Sequence, residues 1–184
     1  MMIDYKFPLI IFGIVWGIYR AINIILKMKF SFKRELIKAL FAFSVVGIYS
    51  VTVFPFPFYT YFDSHLPSPI NLIPFASIYG SLHHFYYMVP IRNIGGNILL
   101  FIPLGFSLPF RFQIRTFWKV TLLGLITSFV VECCQLFIPM RSFDVDDLML
   151  NTLGTGLGFL LYKLFVQFFS KNLEAMQLKE ISKN

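Results

Sequence analysis

A set of side chains able to move protons or hold an ion lies inside, or at the rims of, three strongly apolar stretches. The first stretch opens on Arg92 and carries Asn93 and Asn97; the second carries Glu132 and Gln135 and ends near Arg141; the third opens on Asp144, Asp146 and Asp147 and carries Asn151. Charged and amide groups are costly in hydrocarbon, so they normally face a protein interior or a wet cavity. Two chemistries suit such a set. Guanidinium and amide groups bind the polar part of an amphiphilic molecule. Carboxyls do acid–base work, for which Glu132 and Asp147 are the candidates, and the aspartates together suit a divalent cation held against a pyrophosphate. No Ser-His-Asp or Gly-x-Ser-x-Gly arrangement and no obvious nucleophile supports a reaction. A third reading is structural: intramembrane amides often hold helices together, and aspartates at a helix start are caps.

Position on a helix orders these residues. Asn93 and Asn97 are four apart, Glu132 and Gln135 three apart, and Asp147 and Asn151 four apart, so each pair shares one helix face. Gly95 and Gly96 beside the first pair would admit a neighbouring helix closely. Pro103 and Gly105 should bend that helix or break its hydrogen-bond ladder. Gly154, Thr155 and Gly158 continue a small-residue face for tight packing.

The elements that must position these groups are membrane spans. Of 184 residues, 57% are hydrophobic, 19% aromatic and only 14% charged, and the mean hydropathy is +0.72. Soluble domains are far less apolar and more charged. A helix needs roughly 20 apolar residues to cross the hydrocarbon core. Five segments qualify: Phe7 to Leu26, Leu36 to Phe54, Ile91 to Phe110, Phe117 to Ile138 and Leu148 to Phe169. The expected fold class is an all-α polytopic transmembrane helix bundle of about five spans, forming a single membrane domain over residues 1–184.

The net charge of +7 arises from short Lys/Arg clusters between spans, the pattern of membrane orientation and not of nucleic-acid binding. Lys27, Lys29, Lys33, Arg34 and Lys38 mark one cytoplasmic connection, and Arg111, Arg115 and Lys119 mark another. Lys171, Lys179 and Lys183 mark a cytoplasmic tail. The opposite side has Lys6, Arg92 and Arg141 with Asp4, Asp63 and the 144–147 aspartates. The N-terminus is therefore expected outside and the C-terminus inside, which places every candidate group toward the outer face. No cleavable signal peptide is evident, because the first apolar run lacks a basic n-region and a small-x-small site.

The 55–90 connection is rich in aromatic residues and proline and reads as a loop on the outer membrane surface, an anchor or a substrate lid. His83 and His84 within it lack metal-ligand spacing. Cys133 and Cys134 are adjacent, a poor disulfide geometry, and read as small apolar fillers. No metal and no cofactor is implied. The geometric expectation is that the three polar faces converge on one outer-leaflet cavity. Glu132 should lie within reach of Arg92, Arg141 or an amide, one of Asp144 and Asp146 should cap the last helix, and Asp147 should face the cavity.

The series Asn93-x3-Asn97-x3-Phe101-x-Pro103-x-Gly105, Glu132-x2-Gln135 and Arg141-x2-Asp144-x-Asp146-Asp147-x3-Asn151-x2-Gly154 resembles the VanZ family. The upstream Asn71-Leu72-Ile73-Pro74-Phe75 resembles the segment preceding that core, and the resemblance runs over 49–161. It implies a small multi-pass protein of a Gram-positive plasma membrane, associated with antibiotic resistance of the teicoplanin (glycopeptide) type. It further implies partners among membrane lipids, lipoglycopeptides or lipid-linked peptidoglycan precursors of the cell envelope. Whether it binds such a molecule or acts on it as an intramembrane enzyme stays open.

Overall fold

A computed structural model describes residues 2–3, 6–25, 31–53, 56–57, 70–138 and 141–181. In chain order the helices are α1 (Lys6–Ile25), α2 (Phe32–Val53), α3 (Ala76–Leu82), α4 (Met88–Pro90), a π-helical turn (Ile91–Gly95), α5 (Gly96–Phe112), α6 (Phe117–Gln135) and α7 (Val145–Ile181). Two short bridges join distant segments. β1 (Met2–Ile3) pairs antiparallel with β2 (Phe56–Pro57), and β3 (Ile70–Asn71) pairs parallel with β4 (Phe143–Asp144), Asn71 opposite Asp144.

Among the described residues, four helices are long and apolar enough to cross a membrane: Phe32–Val53, Met88–Phe112, Phe117–Gln135 and Val145–Ser170. The apolar part of α1, Pro8–Asn23, is shorter. The chain is thus an all-α, polytopic membrane-type bundle. Its boundaries differ from the hydropathy reading in instructive ways. The third span starts at Met88, because α4 and the π turn lead into α5 without interruption. The fourth stops at Gln135 and unwinds through a turn, and the fifth starts at Val145 and stays helical to Ile181. Lys27, Lys29, Asp4, Asp63, Met140 and Lys183 lie outside the described residues, as does much of the 55–90 connection.

The core explains why α7 sits centrally, packed on both α5 and α6, with α2 closing the other side of α5 and α1 resting on α2. Ile48, Phe101, Leu104, Leu108, Val120, Val131 and Phe159 form one buried apolar cluster. Small residues set the α5–α7 distance. A Cβ on Gly105 would strike the Thr155 carbonyl, and one on Gly158 the Ile102 carbonyl, so glycine lets the backbones meet. Gly95 and Gly96 do not do this. A Cβ on either meets nothing within 4 Å, so the close helix approach expected there is made instead from Ile98 onward, where Gly154 and Gly158 of α7 meet the Ile98 and Ile102 carbonyls and Gly105 meets that of Thr155. Nor does Pro103 break the span: α5 is helical through both Pro103 and Pro109. The missing proline N–H is tolerable in a helix clasped by neighbours.

Candidate functional site

The last turn of α2, the starts of α5 and α7, and the end of α6 meet at one end of the bundle, where a polar scaffold is built around the start of α7. Asp144 precedes that helix, and its Oδ1 accepts a hydrogen bond from the Asp146 N–H at 2.9 Å, an N-cap. Asp146 is fully buried and serves a different helix. Its carboxylate accepts from the backbone N–H groups of Phe75 (2.5 Å), Ser77 (2.8 Å) and Ile78 (3.1 Å). Phe75 lies in the left-handed region at φ 67°, and α3 has no side-chain cap of its own. Asp146 therefore supplies from across the fold the acceptor that α3's first turn lacks.

Asn71 and Ser77 complete the joint. The Asn71 amide donates to Ser77 Oγ (2.9 Å) and Asp144 Oδ1 (3.0 Å), and the Ser77 hydroxyl donates to Asp144 Oδ2. Glu132 lies beneath, 1% exposed, and its Oε2 accepts from the Asp144 backbone N–H at 2.9 Å. Of the contacts expected for Glu132, Arg141 is near enough to act on it electrostatically, but no hydrogen bond or ion pair to Arg92, Arg141 or an amide side chain is formed among the described residues. Its partner is a backbone amide, because the 141–144 segment folds back over the end of α6 and needs an acceptor there.

A cavity of about 720 Å³ opens between α2, α3, α5 and the 141–147 segment. Arg92, Asn93, Asn97, Gln135, Arg141, Asp144, Asp146 and Asp147 line it; Glu132 and Asn151 do not. Asn97 donates to Asp147 Oδ1 at 2.5 Å, Asn93 to Ser81 Oγ at 3.2 Å, and Gln135 to the Thr52 carbonyl at 3.2 Å. Asn151 lies behind the cavity, donating to Ser128 Oγ at 2.9 Å with its own Oδ1 left without a partner among the described residues.

These arrangements sort the chemistry. Asp144 and Asp146 are occupied by N–H and O–H donors and are poorly placed to take a cation. Arg92 and Arg141 differ. Neither forms an ion pair among the described residues, whose salt bridges are Arg20–Glu35 at 3.3 Å and Lys38–Glu35 at 3.0 Å near the start of α2. Two guanidinium groups thus border the cavity with no carboxylate in ion-pair contact among the described residues; Glu132 and Asp147 attract Arg141 only at longer range. His83 and His84 lie apart from this scaffold in contacts of their own, His83 Nδ1 with the Tyr79 carbonyl (3.0 Å) and His84 Nδ1 with the Tyr86 N–H (3.1 Å). Cys133 and Cys134 are free thiols.

Ser77, Ser81 and Thr52 also line the cavity, and little in the sequence marks them. Ser77 and Ser81 lie on α3, a helix too short to give a hydropathy signal, although Pro74 just before Ala76 is a helix-start mark. Thr52 contributes a backbone carbonyl, which no residue type announces.

Fold and site together define a polytopic helical membrane protein with a polar cavity at one end of its bundle. A profile of the VanZ/LLP1 family matches residues 41–166, and the chain belongs to that family. It is similar to Protein VanZ of Enterococcus faecium, with 30% identity over 103 residues, 56% of this chain and 57% of that protein. The chain therefore spans a little over half the length of that curated relative. No solved structure matches it.

Proposed function

We propose that the cavity binds the polar head of an amphiphilic or lipid-linked cell-envelope molecule on the outer side of the plasma membrane, and that this binding contributes to protection against teicoplanin-type glycopeptides. One observation carries the reading: Arg92 and Arg141 border a cavity of about 720 Å³, and among the described residues neither guanidinium has a carboxylate within ion-pair distance, although Glu132 and Asp147 are near enough to Arg141 to attract it. Unpaired guanidinium groups at a membrane interface are matched to phosphate or carboxylate, which they grip with two parallel hydrogen bonds. The amides of Asn93 and Asn97 add neutral donors and acceptors at the same wall. The Lys/Arg distribution supports an outer location, and the similarity to Protein VanZ supports the envelope context.

The test is susceptibility measured with the protein level controlled. Deleting the gene, or replacing Arg92 and Arg141 by alanine, should raise sensitivity to lipid-bearing glycopeptides more than to vancomycin. Equal sensitivity to both drugs at normal abundance would sink the reading. Each Arg→Ala change removes charged hydrogen bonds of about 1.5–3 kcal/mol, roughly a 10- to 100-fold weaker Kd for an anionic headgroup. The enzymatic alternative narrows to Asp147, a cavity-lining carboxylate that accepts a hydrogen bond from Asn97 and, unlike Asp144 and Asp146, is not enclosed by backbone donors. Turnover of a lipid-linked precursor with Mg²⁺, lost in Asp147→Asn, would establish it in place of simple binding.

A further inference from the structure

The cavity does not close at its polar end. Phe43, Gly47 and Val51 line it from α2 at four-residue spacing, and Gly96, Leu99 and Pro103 line it from α5. Phe41 in the first half of α2 packs on Phe112 at the end of α5, so the two helices run in opposite directions, with Thr52 toward the Asn93 end and Phe43 toward Pro103. From Thr52 to Phe43 the wall runs about 14 Å along the helix at 1.5 Å per residue. Its character changes along that length. Arg92, Asn93, Asn97 and Asp147 are at one end, while the far end is apolar except for Ser44, whose hydroxyl already donates to the Leu40 carbonyl at 2.7 Å. The wall also reaches the outer surface of the bundle: Phe43 is 57% exposed, Val51 52% and Leu99 66%. Exposure this high on lining side chains fits a slot that, among the described residues, is left uncovered along α2 and α5.

Gly47 keeps that slot wide. Glycine inside a helix costs about 0.5–1 kcal/mol relative to alanine. At Gly105 and Gly158 a close backbone explains it, but a Cβ on Gly47 or Gly96 would meet nothing within 4 Å. The room these two leave belongs to the cavity.

From these observations we infer that the ligand is a membrane lipid with an anionic head, which enters laterally from the bilayer and lays its chain in the Phe43–Gly47–Val51 slot while its head reaches Arg92 and Arg141. This deepens the binding reading above and rests on it. Full-length protein in phosphatidylcholine nanodiscs containing phosphatidylglycerol with a photoactivatable group in its chain tests it, with soluble glycerol phosphate as the head without a chain. Adducts should concentrate several-fold on 43–51 and 99–103 over the lipid-facing Leu122 and Ile126 of α6. Gly47→Leu should reduce them several-fold while leaving glycerol phosphate binding intact, and Gly96→Leu should give the same loss of adducts. Even labelling of the slot and α6 means surrounding lipid only and overturns the inference. Arginine-dependent binding of glycerol phosphate with no enrichment in the slot also overturns it, leaving the polar-head reading standing. If Arg92→Ala with Arg141→Ala changes neither signal, both readings fall.

Discussion

Among single residues, Asp146 and Glu132 show how a buried carboxylate can be structural without an ion pair. Asp146 takes three backbone N–H groups of α3's first turn, and charged acceptors make stronger hydrogen bonds than neutral ones. Asp146→Ala would strand those donors at about 1–3 kcal/mol for each one shut off from water. Thermal unfolding in detergent should fall by at least about 2 kcal/mol, and limited proteolysis should begin to cut at α3. Asp146→Asn keeps one good acceptor and should lose less. Glu132 offers a sharper contrast, because its acceptor role toward the Asp144 N–H needs an oxygen but no charge. Glu132→Gln should therefore fold and bind as the parent does, whereas Glu132→Ala should lose about 1–3 kcal/mol of stability. A catalytic Glu132 would show the opposite pattern, a well-folded Gln variant without activity.

At the level of elements, glycines of one residue type divide into two classes. Gly158 lies where α5 and α7 touch backbone to backbone, and Gly158→Val should overpack that contact and cost about 1–3 kcal/mol, read as lost yield and a lowered Tm. Gly95 has helical dihedrals and open space around it. Gly95→Ala should stabilise the span by about 0.4–1 kcal/mol, by restricting the unfolded chain. Gly95 is the last residue of the π turn Ile91–Gly95, which carries Arg92 and Asn93 into the cavity wall. Single-turn π segments are frequent at functional sites, since the extra residue re-aims the side chains that follow.

For the molecule as a whole, all polar elements of the site gather at one end of the bundle, and orientation decides which solvent they meet. The charge clusters predict that end to be outside. With Cys133 and Cys134 replaced, Phe85→Cys, at a position 95% exposed, should react with a membrane-impermeant thiol reagent in intact cells. Gln113→Cys, in the α5–α6 connection, should react only after permeabilisation. The reverse result would turn the cavity to the cytoplasm and remove the glycopeptide reading.

Amino-acid order alone determined the all-α polytopic class, the rough position of the long apolar helices, the placing of Asn93 and Asn97 on one wall, and the family motif. Each of these depends on hydropathy over some twenty residues or on helical periodicity over four, both local. Asp147 and Asn151, though one turn apart, part company, one lining the cavity and the other bonded to Ser128 behind it. The tertiary structure alone decided the pairings. Asp146 caps a helix about seventy residues back along the chain, Glu132 takes its hydrogen bond from a backbone N–H, and Gly96 borders a slot where Gly105 borders a carbonyl. Periodicity states which face a side chain occupies, not what stands opposite it. That depends on the rotation and axial offset of α2, α5, α6 and α7, which are set by the packing of the Ile48–Phe101–Phe159 core and by how near small residues let the backbones come.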